Sequence, residues 1–259
     1  MSDSVLSRFG LPGRVAVVTG GGDGIGRAAC HHMASAGAKV CVLDRDGDKA
    51  ASVAREIAEK DGAARAFVAD VTDEAAMTAV FDEIGNAFGG VDVLVNNAGL
   101  AIRSAAIDMP VEDWNRVLAV NLTGMFVAAR LAARSMSASG KGGAIVNTAS
   151  IMGLSGGLYP NVAYQTTKGG VVNMTRALAL EWVSLKIRVN AVAPTFVRTP
   201  FIAPLLNDTE KMATIVTATP MGRIAEPEEV ADAILFLASP AAAMITGTIL
   251  PVDGGYLAR

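Results

Sequence analysis

The sequence predicts an α/β fold in which a doubly wound, mainly parallel sheet of seven strands carries helices on both faces. Three observations support this class. Short β-branched runs alternate strictly with longer helical segments, an order that implies right-handed βαβ crossovers. The runs are apolar along their whole length, which is typical of strands that helices cover on both faces. The chain is also long enough, at 259 residues, to bury a full core.

Each element has a local signal. The first strand is Val15-Ala16-Val17-Val18, and after a glycine-rich turn a helix runs from residue 25 to about 36, where Gly37 closes it. Asp61-Gly62 ends the second helix, and Pro110 and Pro227 begin two later ones. We expect the remaining strands at 39–43, 64–69, 91–95, 144–148, 187–192 and near 248–252, and the remaining helices at 48–60, 73–88, 110–134, 163–184 and 227–238.

Composition restricts the classes of protein that are possible. Hydrophobic residues make up 51% of the chain, charged residues 18%, and the net charge is −3, which excludes a disordered chain. The 22 Lys and Arg residues are spread out rather than clustered, which argues against a nucleic-acid partner. No linker or repeat is evident, so residues 1–259 are interpreted as one domain. A helix-poor, proline-containing insertion at about 195–223 is expected to form a mobile lid over a ligand site.

Several features favour a cytoplasmic protein. Cys30 and Cys41 match neither a disulfide framework nor a zinc motif, and we expect both to be free buried thiols in a reducing compartment. The first 14 residues lack the apolar core of a signal peptide. The uncharged stretches 142–167 and 233–252 contain Gly, Pro or polar residues that are untypical of a lipid-facing helix. We therefore expect no membrane segment. His31 and His32 are adjacent on a helix and point in different directions, so no metal site is expected.

A glycine-rich turn follows the first strand, at Thr19-Gly20-Gly21-Gly22-Asp23-Gly24-Ile25-Gly26. Glycine is needed where backbone approaches a pyrophosphate closely, and the N-terminus of the following helix offers free N–H groups and positive potential. The spacing is Gly-x-x-x-Gly-x-Gly and not the Gly-x-Gly-x-x-Gly fingerprint. A tight turn without a ligand is the alternative interpretation. In the context of the alternating elements, the turn indicates a Rossmann-type dinucleotide site.

The acidic residues near this turn favour one form of the dinucleotide. Asp44 ends the second strand, where a carboxylate can accept hydrogen bonds from both ribose hydroxyls of the adenosine half. The alternative for Asp44 is a solvated loop acid. Asp23 and Asp44 would both repel a 2′-phosphate, whereas the guanidinium of Arg45 could pair with it. Two acids against one arginine predict NAD rather than NADP.

A second constellation lies in the C-terminal half. Tyr164 and Lys168 are four residues apart in a helical segment and therefore share one face. An ammonium near a phenol lowers the phenol pKa by favouring phenolate. Ser150, at the end of the preceding strand, could donate a hydrogen bond to a carbonyl or hydroxyl of a substrate. The alternatives are a strand-end cap for Ser150 and a solvated helix charge for Lys168.

Taken together, these residues resemble the short-chain dehydrogenase/reductase family over nearly the whole chain. The matching segments, in chain order, are 19–26, Asp70-Val71, the Asn-Asn-Ala-Gly run 96–99, Asn121 in Val-Asn-Leu-Thr-Gly, Ser150, Tyr164-x-x-x-Lys168, 188–192 and 252–255. Each motif is weak alone, and finding all of them in the correct order makes an accidental match improbable.

The resemblance implies a role for each matching position. Tyr164 would be the acid/base catalyst that exchanges a proton while hydride moves to or from nicotinamide, and Lys168 would bind the nicotinamide ribose and lower the pKa of Tyr164. Ser150 would orient the substrate oxygen, and Asn121 would hold a water that joins Lys168 to solvent. The residues that would bind the cofactor are Gly20, Gly22, Asp23, Gly24, Ile25, Gly26, Asp44, Arg45, Asp70, Val71, Asn97, Ala98, Gly99, Tyr164, Lys168, Pro194, Val197 and Thr199.

The chain departs from the family pattern at two positions. The Pro-Gly after the sixth strand is Pro194-Thr195 here, which is expected to alter the local turn or the floor of the pocket. The usual Ser-Ser is Ala149-Ser150, which keeps the second serine. Neither change removes a chemical group that the reaction needs.

The resulting functional prediction is a NAD-dependent oxidoreductase that interconverts a secondary alcohol and a ketone. The run 194–200 resembles enzymes that act on sugars, sugar acids or polyols. Two alternatives stay open, an NADPH-dependent 3-oxoacyl-thioester reductase and a dinucleotide-binding sensor without turnover. The resemblance also implies a homotetramer that pairs long helices and C-terminal strands, and the uncharged 233–252 stretch is consistent with a buried interface.

Overall fold

The computed structural model describes residues 5–259 and contains a seven-stranded sheet of order β3-β2-β1-β4-β5-β6-β7. Every pair of neighbouring strands is parallel, so the sheet is parallel throughout and not only mainly so. The order reverses between β1 and β4, which places a crevice at their carboxyl ends. The strands are β1 Val15–Thr19, β2 Lys39–Asp44, β3 Ala63–Val68, β4 Val93–Asn96, β5 Gly143–Thr148, β6 Ile187–Pro194 and β7 Ile249–Val252.

Helices cover both faces of the sheet, as the alternating pattern predicts. Side chains from α1, α2 and α9 share one buried cluster, and side chains from α3, α5 and α6 share another on the opposite face. The helices are α1 Gly24–Ser35, α2 Gly47–Ala58, α3 Glu74–Phe88, α4 Val111–Leu118, α5 Met125–Ser139, α6 Val162–Glu181, α7 Ala203–Leu206, α8 Thr209–Ala218 and α9 Pro227–Ala238.

Two predicted strands are less buried than their apolar sequences suggest. The first, β3, alternates between exposed and partly buried residues, and β7 is only partly buried. Both lie at the edges of the sheet, where fewer helices cover them. The expectation of full burial is therefore wrong for these two strands and correct for the central ones, such as β1 and β4.

The insertion at 195–223 is not helix-poor. It contains a 3₁₀ turn at Pro200–Ile202 followed by α7 and α8. Pro204 occupies the second position of α7, where a missing backbone N–H costs nothing. The Asp208 side chain caps α8 by accepting a hydrogen bond from the backbone N–H of Lys211 at 3.0 Å. These helices cover the carboxyl end of β6 through a small cluster that includes Ile202, Leu205 and Ile215.

One helical run, Val111–Ser139, has the length and apolar composition of a membrane-crossing helix, and 56% of its most apolar window is buried within the fold. A π-helical segment at Ala119–Gly124 joins α4 and α5 within this run. Residues 1–4, the start of the segment interpreted as lacking a signal peptide, lie outside the described residues.

The two thiols are free and buried, as predicted. Burial raises the pKa of Cys41 to about 12 and shifts the pKa of Cys30 in the same direction. Both are therefore unreactive thiols at neutral pH. Within residues 5–259, His, Cys, Asp and Glu side chains form no group of three or more that could hold a metal ion.

Candidate active site

The glycine turn between β1 and α1 brings backbone unusually close to its neighbours. Gly20 has φ +62°, and a Cβ there would lie 2.9 Å from the Cα of Ala98. A Cβ on Gly26 would lie 2.0 Å from the carbonyl oxygen of Gly20. Gly26 therefore permits close contact between the first turn of α1 and the loop. This is a packing requirement, and Gly26 does not line the cavity described below.

Two carboxylates organise the turn. Asp23 caps α1, and its Oδ1 accepts a hydrogen bond from the Gly24 N–H at 2.7 Å. Asp44, at the end of β2, accepts hydrogen bonds from the Gly22 N–H and the Asp46 N–H, both at 3.0 Å. The N–H of Gly22 is thus used by a protein group, Asp44. Gly22 does not line the cavity.

Lys49 changes the balance of charge around this turn. Its Nζ lies 2.9 Å from Oδ2 of Asp23, and it lines the same cavity as Arg45. The interpretation of two acids opposed by one arginine is therefore wrong, because Lys49 offsets the charge of Asp23. Asp44 is then the carboxylate whose charge still disfavours binding of a 2′-phosphate. Sequence spacing gave no signal for Lys49, which reaches Asp23 only through the packing of α2 beside the turn.

The ends of β1 and β4 are tied together by side chains. Thr19 Oγ1 accepts hydrogen bonds from the backbone N–H groups of Asn97 at 3.0 Å and Ala98 at 3.1 Å. The Asn97 amide donates to the carbonyl oxygens of Thr19 and Gly20 at 3.3 and 3.2 Å. These contacts hold the 97–99 segment against the glycine turn, so that it forms the floor of the crevice.

A single cavity of about 560 Å³ runs from the glycine turn to Tyr164. Almost all residues predicted to bind cofactor or substrate lie on its wall, and the exceptions are Gly22, Gly26 and Asn121. The predicted residues that line it are Gly20, Asp23, Gly24, Ile25, Asp44, Arg45, Asp70, Val71, Asn97, Ala98, Gly99, Ser150, Tyr164, Lys168, Pro194, Val197 and Thr199.

Asp70 and Val71 form part of the wall beside the ends of β2 and β3. A hydrogen bond from the backbone N–H of Thr72 is the main cause that lowers the pKa of Asp70, and burial opposes it. The carboxylate is therefore ionised at neutral pH. Val71 is buried and touches the helical run, since a Cβ on Gly124 would lie 2.9 Å from one of its methyl groups.

Ser150 and Tyr164 meet at the opposite end of the cavity. Ser150 begins the loop after β5, and its Oγ accepts a hydrogen bond from the Met152 N–H at 3.1 Å, as the capping alternative predicts. Burial raises the pKa of Tyr164, while a hydrogen bond with Ser150 and the charge of Arg103 act in the opposite direction. The prediction that the phenol pKa is lowered is therefore wrong for the free protein, because burial outweighs the stabilisation of the phenolate.

Lys168 is buried, with only 2% of its surface exposed, so the solvated-charge alternative is wrong. Its Nζ donates a hydrogen bond to the Thr148 carbonyl oxygen at 2.6 Å and lies 5.5 Å from the centre of the Tyr164 ring. Burial lowers the pKa of Lys168 to about 7. Near neutral pH the amine is therefore only partly protonated.

Asn121 lies in the π-helical segment and is fully buried. Its Oδ1 accepts a hydrogen bond from the Leu100 N–H at 2.7 Å, and its Nδ2 donates to the Leu100 carbonyl at 2.8 Å and to Thr167 Oγ1 at 3.2 Å. The side chain therefore fastens the loop after β4 to α6. Asn121 thus positions that loop, and the bound water that the family resemblance implies for it stays a prediction.

The departure at Thr195 leaves the turn after β6 intact. Its backbone N–H donates to the Val252 carbonyl at 3.1 Å, which keeps the residue bound to β7. Its Oγ1 is buried without a hydrogen-bond partner among the described residues. Two residues on, Val197 forms a parallel bridge with Ala225, and Thr199 Oγ1 donates to the Val197 carbonyl at 3.3 Å. Thr195 thus adds a side chain to the pocket wall where the family pattern has glycine, and its hydroxyl has no partner among the described residues.

The lid adds Phe201 and Leu205, which motifs did not predict, and the loop after β4 adds Arg103, whose place after the 96–99 run fits either a contact with an anionic substrate or a solvated loop charge. Phe201 lies against the Tyr164 ring, with the ring centres 6.0 Å apart and an angle of 45° between the ring planes. Leu205 from α7 and Arg103 from the loop after β4 also line the cavity. The lid thus covers the phenol with apolar surface. The proline-rich composition of 195–223 was the only sequence signal for it.

The residues present fit a nicotinamide dinucleotide. Gly20 and Gly24, both with positive φ, place bare backbone on the cavity wall at the glycine turn, and the cavity joins this turn to Ser150, Tyr164 and Lys168. Asp44 lies on the wall at the end of β2, where the ribose of such a cofactor would lie. The fold and the site therefore define a dinucleotide-binding oxidoreductase.

Comparison with known proteins identifies its relatives. A family model described as enoyl-(acyl carrier protein) reductase matches residues 20–257. The cis-4-hydroxycyclohexanecarboxylate dehydrogenase of Sinomonas cyclohexanicum is 45% identical over 95% of this chain and 97% of its own. The galactitol 2-dehydrogenase (L-tagatose-forming) of Cereibacter sphaeroides is 45% identical over 96% of both chains. A crystal structure of a putative NAD(P)-dependent gluconate 5-dehydrogenase from Beutenbergia cavernae, with NADP bound at low occupancy, is 44% identical, with a TM-score of 0.93 over 97% of this chain and 100% of that one.

With the motifs in their predicted order and these matches over nearly its full length, the chain belongs to the short-chain dehydrogenase/reductase family.

Proposed function

We propose that this protein is a NAD-dependent dehydrogenase that interconverts a secondary alcohol and a ketone in a polyol or sugar acid. The observation that carries the proposal is the single cavity that joins the glycine turn to Ser150, Tyr164 and Lys168. The names of the relatives support the substrate class, since galactitol is a polyol and gluconate is a sugar acid. The intact catalytic group argues against a sensor without turnover.

In this proposal the bound nicotinamide dinucleotide accepts or supplies the hydride. Tyr164 moves the proton, taking it from the substrate hydroxyl in oxidation and returning it to the carbonyl oxygen in reduction. Ser150 holds the same substrate oxygen by a hydrogen bond. Lys168 holds the ribose next to the reacting ring, and Asn121 acts indirectly by fixing the loop that bears Leu100.

The preference for NAD rests on Asp44 in this proposal. Its carboxylate is held in place by the Gly22 and Asp46 N–H groups, and it lines the cavity at the end of β2. A fixed carboxylate accepts hydrogen bonds from ribose hydroxyls and repels a phosphate there. Arg45 and Lys49 on the same wall would favour a phosphate once that carboxylate is removed.

We expect Asp44→Ala to reverse or abolish the preference between cofactors. Loss of the charged hydrogen bonds should lower kcat/KM for NAD by about 10- to 100-fold, and kcat/KM for NADP should rise. Initial rates with each cofactor measure this. The matched control is Asp48→Ala, which removes an exposed acid four residues away. An unchanged ratio in Asp44→Ala, or an equal change in the control, would contradict the assignment of Asp44.

The second candidate function is an NADPH-dependent 3-oxoacyl-thioester reductase, favoured by the thioester-carrier description of the matching family model. The first proposal is tested by measuring NAD-dependent oxidation of galactitol, glucitol, gluconate, cis-4-hydroxycyclohexanecarboxylate and cyclohexanol. A 3-oxoacyl thioester reduced with NADPH tests the second. Turnover of the thioester alone would overturn the polyol and sugar-acid proposal, whereas turnover of the alcohols alone would exclude the alternative.

We also propose a homotetramer. Exposed apolar residues on and after α6 support it, among them Leu180, which is 79% exposed, and Val183, which is 57% exposed. The partly buried edge strand β7 offers a second contact. The 233–252 stretch supports the tetramer less than expected. Its α9 residues, such as Ile234 and Leu237, are buried within the monomer and are not available for a subunit interface.

Sedimentation at micromolar concentration should therefore give about four times the monomer mass. Leu180→Glu should dissociate the assembly because it places a charge in an apolar contact. Glu181→Gln, at the neighbouring position, is the control. A wild-type protein that sediments as a monomer would exclude the proposed assembly.

Cytoplasmic localisation stays a proposal as well. It is supported by two free thiols that are both buried, since unpaired cysteines are usual in a reducing compartment. Fractionation of cells that express the tagged protein tests it.

A further inference from the structure

Charge is distributed unevenly along the cavity. The three carboxylates on its wall, Asp23, Asp44 and Asp70, lie at or after the ends of β1, β2 and β3, beside the cations Arg45 and Lys49. The other half of the wall, built from residues after β4, β5 and β6, contributes two cations, Arg103 and Lys168. Within the described residues that line this half, no acid accompanies them. The end of the cavity that holds the catalytic group therefore offers a ligand cations and no carboxylate.

The two cations differ in accessibility, and the N–H donors of Lys168 that Thr148 does not use are those that would hold the ribose in the proposed function. Lys168 is buried and donates to the Thr148 carbonyl. Arg103 is exposed, and among residues 5–259 its guanidinium has neither an ion pair nor a hydrogen bond. Several other surface arginines, such as Arg223, form ion pairs, whereas Arg45 at the acidic end of the same cavity has none among the described residues. An arginine on the wall of a substrate cavity with all its donors unused is available for a ligand.

Arg103 lines the same cavity as the reacting group. It lies in the loop after β4 that Asn121 fastens to α6 through Leu100. Its charge is close enough to Tyr164 to act on the titration of the phenol. Because Arg103 is exposed and Tyr164 is partly buried, the guanidinium lies at the rim and the phenol lies deeper. A substrate that contacts both must extend from the phenol towards the entrance.

We propose that Arg103 binds a carboxylate of the substrate, so that the preferred substrates are hydroxy acids whose carboxylate lies towards the entrance and away from the reacting carbon. A guanidinium binds a carboxylate with two parallel hydrogen bonds, which is stronger and more directional than binding to a neutral hydroxyl. The inference rests on the proposed function and narrows it, since it selects the sugar acids over the neutral polyols.

The experiment compares gluconate with glucitol, which has the same number of carbons and no carboxylate, and cis-4-hydroxycyclohexanecarboxylate with cyclohexanol. For wild type we expect a higher kcat/KM for the acid in each pair. Arg103→Gln should lower the ratio of kcat/KM for acid to kcat/KM for neutral alcohol by about 10-fold or more. The change should be mainly in KM, because the carboxylate contact is the same in ground and transition states. Arg103→Lys should give an intermediate ratio.

A binding measurement makes the test independent of turnover. Calorimetry of gluconate against the complex of protein and NADH should show weaker binding to Arg103→Gln than to wild type. Arg55→Gln, which removes an exposed arginine of α2 outside the cavity, is the control for net charge and should leave both readouts unchanged.

The outcomes separate the two proposals. If neutral alcohols are oxidised and the ratio is the same in wild type and Arg103→Gln, the carboxylate inference is wrong and the proposed function stands. If gluconate binds through Arg103 but no alcohol in either pair is oxidised, the proposed function is wrong and the anion site stands. Equal binding of gluconate to wild type and Arg103→Gln would also overturn the inference.

Discussion

Tyr164→Phe should lower kcat for alcohol oxidation by about 10²- to 10⁴-fold, the usual contribution of a positioned acid/base group. The substitution removes one oxygen atom and retains the ring that packs against Phe201. Binding of the dinucleotide, measured by titration of NADH fluorescence, should change little, because the glycine turn and Asp44 are far from the substituted atom. The fall should therefore appear in the rate and not in the cofactor affinity.

The wild-type pH profile provides a second test of the same assignment. Oxidation needs the deprotonated phenol, and burial raises the Tyr164 pKa above its ordinary value near 10. The oxidation rate should thus increase with pH across the alkaline range, whereas reduction, which needs the protonated phenol, should decrease there. Tyr164→Phe should lose this dependence.

Tyr256→Phe is the matched control for the hydroxyl deletion. Tyr256 is buried in the cluster that contains Leu205 and Ile215, and it does not line the cavity. The Tyr256→Phe variant should keep the wild-type kcat for alcohol oxidation and the wild-type pH profile. Activity that survives in Tyr164→Phe would show that another group moves the proton.

The fold was predictable because its signals are local and redundant. Central strands such as β1 and β4 are apolar at every position, and glycines or prolines mark the ends of several helices. The edge strand β3 shows the limit of this reasoning. Ala and Val side chains look equally apolar in the sequence whether or not a helix covers them, so burial at the edge depends on the tertiary arrangement.

The site was predictable in its members but not in its electrostatics. Motif positions correctly placed Ser150, Tyr164 and Lys168 on one cavity. The titration of these groups depends on burial and on contacts from distant segments, which spacing does not encode. The same limit hid the pairing of Lys49 with Asp23, since these residues are brought together only when α2 packs beside the glycine turn.

Lys168→Met should stabilise the free protein at pH 7 while it removes activity. An unfolded lysine titrates near 10.4, whereas burial lowers the pKa of Lys168 to about 7 in the fold. This difference corresponds to roughly 4 kcal/mol of destabilisation at pH 7. Methionine removes that cost but leaves the Thr148 carbonyl without its donor, which costs about 1–3 kcal/mol. We therefore expect a net gain of about 1–3 kcal/mol in the free energy of unfolding, measured with urea.

The sign of this effect gives a pH signature. Between pH 7 and about 10.4 the unfolded wild-type chain binds the proton that the folded chain has lost, so the contribution of Lys168 to wild-type stability improves as pH rises. The advantage of Lys168→Met should shrink over that interval and reverse at its upper end, where only the lost hydrogen bond counts. Lys141→Met, which replaces an exposed lysine, should show no such trend. A constant difference between wild type and Lys168→Met would mean that the amine stays charged in the fold. The buried base would then be a permanent cation beside Tyr164, acting against the burial that raises the phenol pKa.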